Sequence, residues 1–465
     1  MRRLICTVTA YFVMTAFTVA GYAADQFILR GPEKKLERVI PQVGLRVLQK
    51  VENRQVFLTE GPEGLTPEQV IELALSIGNV PQPGCDDDDD DDDDDDCAPV
   101  DIELNRILTL PGVGTGLPPA SGHDVVNKLL GARARVDYFG ARVWSGFARQ
   151  PMASYLELPK VHSRFGTGSG TVAVIDTGVD PNHPALRDAL EKGADFVNHL
   201  KDSASELRDL DPFNQGVINP STTSILDFAP SGDLSLPGLR WGIWGDPSYA
   251  RLNSATLPEA YGHGTMVAGL VRLVAPGAKI LPVKAFDGTG RGSLFQVVQS
   301  IYFAIDKGAN VVNMSFSFPA HSAELMRAVS EATERGLICV ASAGNQGLRT
   351  MGYPAGYSNV IGVAATDLND KLSPFTNHGD ALVSLAAPGE ALVTPFPGGQ
   401  YAVGWGSSYS APVVAGAAAL LRRINSGAVQ SDAAAVFSRA KPLTGGYGWG
   451  RLLIFEALER SERIK

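Results

Sequence analysis

Cysteine is scarce, with four in 465 residues. Cys6 lies in an apolar N-terminal stretch, Cys85 and Cys97 bracket a run of aspartates, and Cys339 sits in an apolar segment. A disulfide-stapled scaffold is therefore excluded, and Cys339 reads as inert core. A Cys85–Cys97 bridge stays open in an exported chain, although like charges inside that loop oppose its closure. An excess of basic residues is also missing. The formal net charge is -10, and residues 86–96 are all aspartate. Outside that run the two signs nearly balance, so nothing marks a nucleic-acid partner. No apolar run after residue 20 is long enough to span a bilayer, and the charged C-terminal helix expected over 456–465 carries no anchoring signal.

Hydrophobic residues make up 44% and charged residues 19%, an ordinary globular balance. Arg2 and Arg3 precede an apolar stretch over 4–20, and Gly21-Tyr22-Ala23 offers small residues for cleavage. Residues 1–23 therefore read as an export signal, which implies a secreted protein, extracellular or periplasmic. Residues 24–110 read as a small α+β domain with an Asp-rich loop at 85–97. Its strand-like runs are Phe27-Ile28-Leu29 and residues 44–51, and a helix is expected to enter at Thr66-Pro67-Glu68. Residues 111–150 are rich in Gly, Pro and Ala and read as a linker with a processing region. From 151 to 465, continuous apolar runs alternate with helical patterns, as in a doubly wound, mainly parallel α/β sheet. Strands are predicted at 171–175, 280–285, 310–314, 337–341, 360–364 and 382–386. Helices are predicted at 265–274, 295–307, 322–335 and 411–424. Residues 197–258 lack periodicity and read as a surface insertion.

Four segments carry candidate chemistry. Asp176 ends the apolar run Val172-Ala173-Val174-Ile175 and precedes Thr177-Gly178, so its carboxylate can be buried and aimed. The chain holds a single Asp-Thr-Gly, which disfavours a mechanism in which two carboxylates share a proton. His263 lies between Gly262 and Gly264 at an expected helix start. Ser408, in Gly406-Ser407-Ser408-Tyr409-Ser410-Ala411-Pro412, lies before a helix of small residues, near N–H groups that favour developing negative charge. Ser407 and Ser410 read better as N-caps. Asn345 follows another apolar run and can offer its amide to an oxyanion.

Taken together these segments resemble the subtilisin family of serine peptidases, over about two-thirds of the chain from residue 152. The order Asp, His, Asn, Ser matches, as do Asn313-Met314-Ser315, Tyr353-Pro354-Ala355, Ala387-Pro388-Gly389 and Gly446-Tyr447-Gly448. The resemblance implies a catalytic triad of Asp176, His263 and Ser408, with Asn345 holding the oxyanion. It also implies substrate-pocket walls of Ser315-Phe316-Ser317 and Ser342-Ala343-Gly344, and pairing of Gly290-Arg291-Gly292 with an extended substrate backbone. The N-terminal zone weakly resembles the family's inhibitory pro-domain, an intramolecular partner cut away between 110 and 150. Protein or peptide substrates and a monomer are expected, with no membrane anchor and no required cofactor. Calcium is conceivable, but the strong family site is expected to be absent, since residue 185 is alanine and Arg272 runs straight into Ala275-Pro276-Gly277. Ser317 stands where glycine is usual, which is expected to narrow the pocket. The aspartate run reads as a self-repelling spacer rather than a calcium-responsive switch, which needs shaped ligands. A catalytically inactive binding or inhibitor protein and a narrow maturation protease remain the alternatives.

Overall fold

The structure is a computed structural model. It describes residues 22–51, 53–80, 98–110, 132–210, 225–227, 242–244, 258, 260–445 and 447–464. The Asp run, the Cys85–Cys97 pair and nearly all of the expected leader lie outside the described residues.

The N-terminal part is built from β1 (Tyr22–Arg30), α1 (Glu33–Val43), β2 (Arg46–Lys50), β3 (Val56–Glu60), α2 (Pro67–Gly78) and β4 (Asp101–Thr109). α2 enters through Thr66, which accepts from Gln69 N while the Gln69 side chain returns a bond to Thr66 N. This reciprocal cap starts the helix where the Thr-Pro-Glu text placed its entry. α1 was not expected, because Pro41 interrupts its pattern. On β1, alternation sends Phe27 and Leu29 into a core shared with Leu36, Val39 and Val70. It sends Ile28 to the opposite face, which packs on the larger part of the molecule.

A hairpin of β5 (Arg135–Tyr138) and β6 (Ala141–Trp144) follows, then three short helices, α3 (Ser145–Ala148), α4 (Pro151–Tyr155) and α5 (Leu158–Phe165). Trp144 and Phe147 are buried in the main core. The later part of the segment read as a linker is thus packed structure, because its scattered aromatics have an apolar surface to cover.

The main sheet comprises β7 (Thr171–Asp176), β8 (Ala194–Asp195), β9 (Leu200–Lys201), β12 (Lys279–Lys284), β14 (Val311–Met314), β15 (Ile338–Ser342), β16 (Ile361–Thr366) and β17 (Leu385–Pro388). A single turn of 3-10 helix, Glu206–Asp209, follows β9, and β10 (Ile225–Asp227), β11 (Gly242–Trp244), β18 (Leu392–Phe396) and β19 (Gln400–Gly404) form a smaller sheet. The main sheet runs in the order β17-β16-β15-β14-β7-β12-β8-β9 and is parallel except where β9 turns back on β8. α6 (His263–Val274) and α9 (Ser407–Ile424) belong to the core on one face. α7 (Leu294–Asp306) and α8 (Ala323–Glu334) belong to the core on the other. Val172 and Val174 face the first core while Ala173 and Ile175 face the second. A strand covered on both sides reads as a continuous apolar run for this reason. α10 (Gln430–Phe437) and α11 (Ile454–Ile464) close the chain.

The two parts meet along one strand. β4 pairs antiparallel with β13 (Arg291–Ser293), with Leu108 opposite Gly292 and Thr109 opposite Arg291. Leu110 N then donates to Gly290 O at 2.7 Å. Below this junction the N-terminal sheet lies on α7 and α8. Asn105 Oδ1 accepts from Phe295 N at 3.0 Å, and Glu103 Oε1 accepts from Glu324 N at 2.9 Å. Ion pairs join Arg30 to Glu324 at 2.7 Å and Arg54 to Asp306 and Glu331 at 3.0 and 2.7 Å.

Candidate active site

β7, β14 and β15 run parallel, and their carboxyl ends open on one edge of the sheet. Asp176 is the last residue of β7 and is fully buried. Its Oδ1 accepts from Thr177 N at 2.8 Å and lies 2.7 Å from His263 Nδ1. A carboxylate only accepts, so Nδ1 carries the proton and Nε2 is left as an acceptor. His263 opens α6, where Gly264 packs against the Asp176 turn. A β-carbon on Gly264 would lie 2.0 Å from Gly178 O, so only glycine permits this approach.

Ser408 lies in the first turn of α9, and the ring of its neighbour Tyr409 stands 5.6 Å from the His263 ring, centroid to centroid. α9 starts at Ser407, four residues before the predicted start, with Gly406 as N-cap. Pro412 suggested a later entry, yet it lies inside the helix. Having no N–H, it leaves the Ser408 carbonyl without its partner one turn on. Ser315 Oγ supplies that bond at 2.8 Å.

Ser407 and Ser410 are not N-caps, correcting that expectation. Ser407 Oγ bonds Gly344 O at 3.1 Å and Asn345 Oδ1 at 2.9 Å, and Ser410 Oγ donates to Pro388 O at 3.2 Å. Their hydroxyls meet oxygens of the loop after β15 and of the end of β17 because α9 is seated deep between them. Asn345 Oδ1 also accepts from Ser407 N at 2.8 Å. Its oxygen is thus occupied, while Nδ2 bonds to no described residue. Gly406 has a φ of 150°, and a β-carbon there would lie 3.1 Å from Asn345 Nδ2.

The two expected pocket walls follow β14 and β15, and Ser317 Oγ donates to Ala343 O at 3.3 Å across them. Ser315, Ser342 and Ala343 are fully buried, as is Phe316, which stacks on Phe318 at 5.2 Å. Phe316, Phe318 and Phe286 share a core with Leu108 and Leu110 of the N-terminal part. Gly290 and Gly292 pair with β4 and Leu110, as above.

Two nearby groups were not found from sequence. Lys284 is fully buried on β12 and donates to Thr177 O at 2.7 Å and Asp209 Oδ2 at 2.6 Å. Glu206 is fully buried, and burial pushes its carboxyl up, while the Thr265 hydrogen bond, the Lys284 charge and the Thr177 hydrogen bond favour the carboxylate. Both acids come from residues 206–209 of the segment expected to be a surface insertion, where Ala204, Glu206 and Leu210 are buried, so that stretch is packed into the protein and is not surface loop. Cys339 is buried, and burial pushes its thiol up to about 12, which makes it inert. Among the described residues no cluster of His, Cys, Asp and Glu is arranged to hold a metal ion, and no helix is long and apolar enough to cross a membrane.

The sequence profile of the Subtilase family matches residues 168–450. A thermophilic serine proteinase of Bacillus sp. (strain AK1) is 36% identical over 55% of this chain and 53% of its own, so the chain spans about half that relative's length. Subtilisin BL of Lederbergia lenta is 33% identical over 58% of this chain and 83% of its own. Thermitase of Thermoactinomyces vulgaris is 31% identical over 63% of this chain and 90% of its own. In architecture the chain is similar to fervidolysin of Fervidobacterium pennivorans, with a TM-score of 0.65, 20% identity and coverage of 94% of this chain and 61% of that one. The matched span contains Asp176, His263, Asn345 and Ser408 at the strand ends and helix starts described above, and the chain belongs to the Subtilase family.

Proposed function

We propose that the chain is a secreted serine endopeptidase, synthesised as a zymogen. The observation that carries the activity is the buried Asp176–His263 bond of 2.7 Å at the edge where α9 begins. Ser408 Oγ attacks the scissile carbonyl and yields its proton to His263 Nε2. Asp176 keeps the imidazole in the tautomer that can take that proton and stabilises the imidazolium. The developing oxyanion accepts from Asn345 Nδ2 and the Ser408 backbone N–H. His263 then returns the proton to the leaving amine, and water repeats the sequence on the acyl-enzyme. Side chains and backbone suffice for each step.

The β4–β13 pairing supports the zymogen. Gly290-Arg291-Gly292 is the segment expected to bind an extended substrate, and the chain's own strand lies on it. Main-chain pairing of this kind takes any sequence, and side-chain pockets select.

The test treats wild-type protein with a fluorophosphonate and follows casein cleavage and processing in wild type and Ser408→Ala. Labelling should map to Ser408, and the variant should accumulate at full length without cleaving casein. Wild-type protein that neither labels nor cleaves would overturn the reading in favour of a binding protein. Cleavage of one peptide out of a library, with casein untouched, would favour a maturation protease.

A further inference from the structure

Glu206 accepts from four donors. Oε2 takes Gly262 N at 2.9 Å and Thr177 Oγ1 at 3.0 Å. Oε1 takes Thr265 N at 3.1 Å and the Thr265 hydroxyl. Gly262 is the N-cap of α6, and no side chain at that position caps the helix. The first N–H groups of a helix lack intrahelical partners, and a carboxylate is favoured beside them. Glu206 supplies the missing acceptor from far away in sequence. Its other contact, Thr177, adjoins Asp176, and Thr177 Oγ1 accepts in turn from Gly264 N at 2.9 Å. One carboxylate thus joins the residue after Asp176 to both sides of His263.

The turn that carries Glu206 is itself tied down. Val179 N donates to Ala204 O at 2.8 Å, and Asp209 pairs with Lys284, whose other donors reach Thr177 O and Phe286 O. A β-carbon on Gly178 would stand 2.5 Å from Ala204 O, so the two backbones are in close contact.

We propose that Glu206 is a positioning residue, which clamps the Asp176–Thr177 turn to the first turn of α6 and so holds the Asp176–His263 bond in its working geometry. The proposal rests on the assignment of Asp176 and His263 to catalysis. Glu206 touches neither substrate nor reacting atoms, and its effect passes through the direction of the imidazole. Misplacement of a catalytic group by an ångström or less lowers turnover steeply and leaves substrate binding, made elsewhere on β13 and the pocket walls, nearly unchanged.

The test is Glu206→Gln, which keeps the shape of the side chain. Either orientation of its amide sets an NH₂ against a backbone N–H, of Gly262 or of Thr265, that cannot turn away. Processed enzyme is titrated with a fluorophosphonate at Ser408, and kcat and KM are measured per titrated site. The expected result is a fall in kcat of about 10²-fold with KM nearly unchanged. Unchanged kcat in folded, labelled Glu206→Gln overturns the proposal, as does a loss confined to melting temperature. If Glu206→Gln does not fold, Thr265→Val, which removes one arm of the clamp without changing volume, is measured in the same way. A several-fold loss of kcat is then expected, and none would overturn the proposal. Failure of wild-type protein to label at Ser408 would instead strike the catalytic assignment itself.

Discussion

Asn345 is held by its oxygen, and its nitrogen bonds to no described residue, as the proposed oxyanion role requires. Ser407 N and Ser407 Oγ both bond to Oδ1, which fixes the amide orientation, and Gly406 leaves room beside Nδ2. A donor fixed in this way costs no reorganisation when charge develops on the substrate oxygen. Asn345→Ala is expected to lower kcat by ~10²–10³-fold with KM little changed, measured per titrated Ser408 site. Equal losses in kcat/KM and binding would place Asn345 in substrate recognition instead. Asp176, His263, Asn345 and Ser408 could be picked as candidates because each stands in a short text of small residues beside an apolar run, and the structure sets them at strand ends and helix starts. Ser315 was legible only as a wall. Its bond to the Ser408 carbonyl exists because Pro412 cannot make it, and that pairing spans 93 residues. Glu206 was not legible, since a carboxylate in an aperiodic stretch carries no local mark of the helix end it will meet.

The elements show the same division. The six long strands of the main sheet were legible within a few residues, since burial on both faces leaves them few polar positions. β18 and β19 were not predicted, and Pro395 inside the first argued against a strand. Burial also explains why α9 was predicted short. Its opening residues Ser407, Ser408 and Ser410 are polar yet fully or nearly enclosed, so their pattern does not look helical. Between the two parts of the molecule, β4 acts on two helices at once. Asn105 takes the Phe295 N–H of α7, and Glu103 takes the Glu324 N–H and the Ser322 hydroxyl of α8. Caps of this kind contribute about 1 kcal/mol each. Glu103→Ala with Asn105→Ala should therefore weaken the seating of β4 on β13 and shorten the lag before freshly folded precursor cleaves casein. An unchanged lag would mean that the β4–β13 pairing alone sets the latency.

Across the whole molecule, Asp370 joins three remote segments. Its carboxylate takes Lys441 Nζ at 2.6 Å, Arg451 Nε at 2.8 Å and the Tyr155 hydroxyl. These tie the loop after β16 both to α4, which precedes the main sheet, and to the chain that leads into α11. Burial pushes Asp370 up, but the Lys441 and Tyr155 hydrogen bonds and the Arg451 charge outweigh it and hold the carboxyl at about 2. The folded value is therefore depressed below the unfolded one of 3.8. The folded protein keeps Asp370 ionised where the unfolded chain would protonate it. Its stabilisation is thus present above the unfolded value and is lost as pH falls through about 2. Solvent reaches part of this cluster and screens it, so the contribution at neutral pH is about 1 kcal/mol. Comparing Asp370→Asn with its parent in the Ser408→Ala background removes self-cleavage from the measurement. The variant should melt lower at pH 7, the gap should narrow below pH ~4, and it should close near pH ~2. A gap that persists unchanged at the acid end would mean that the Asp370 side chain acts through shape and not through charge.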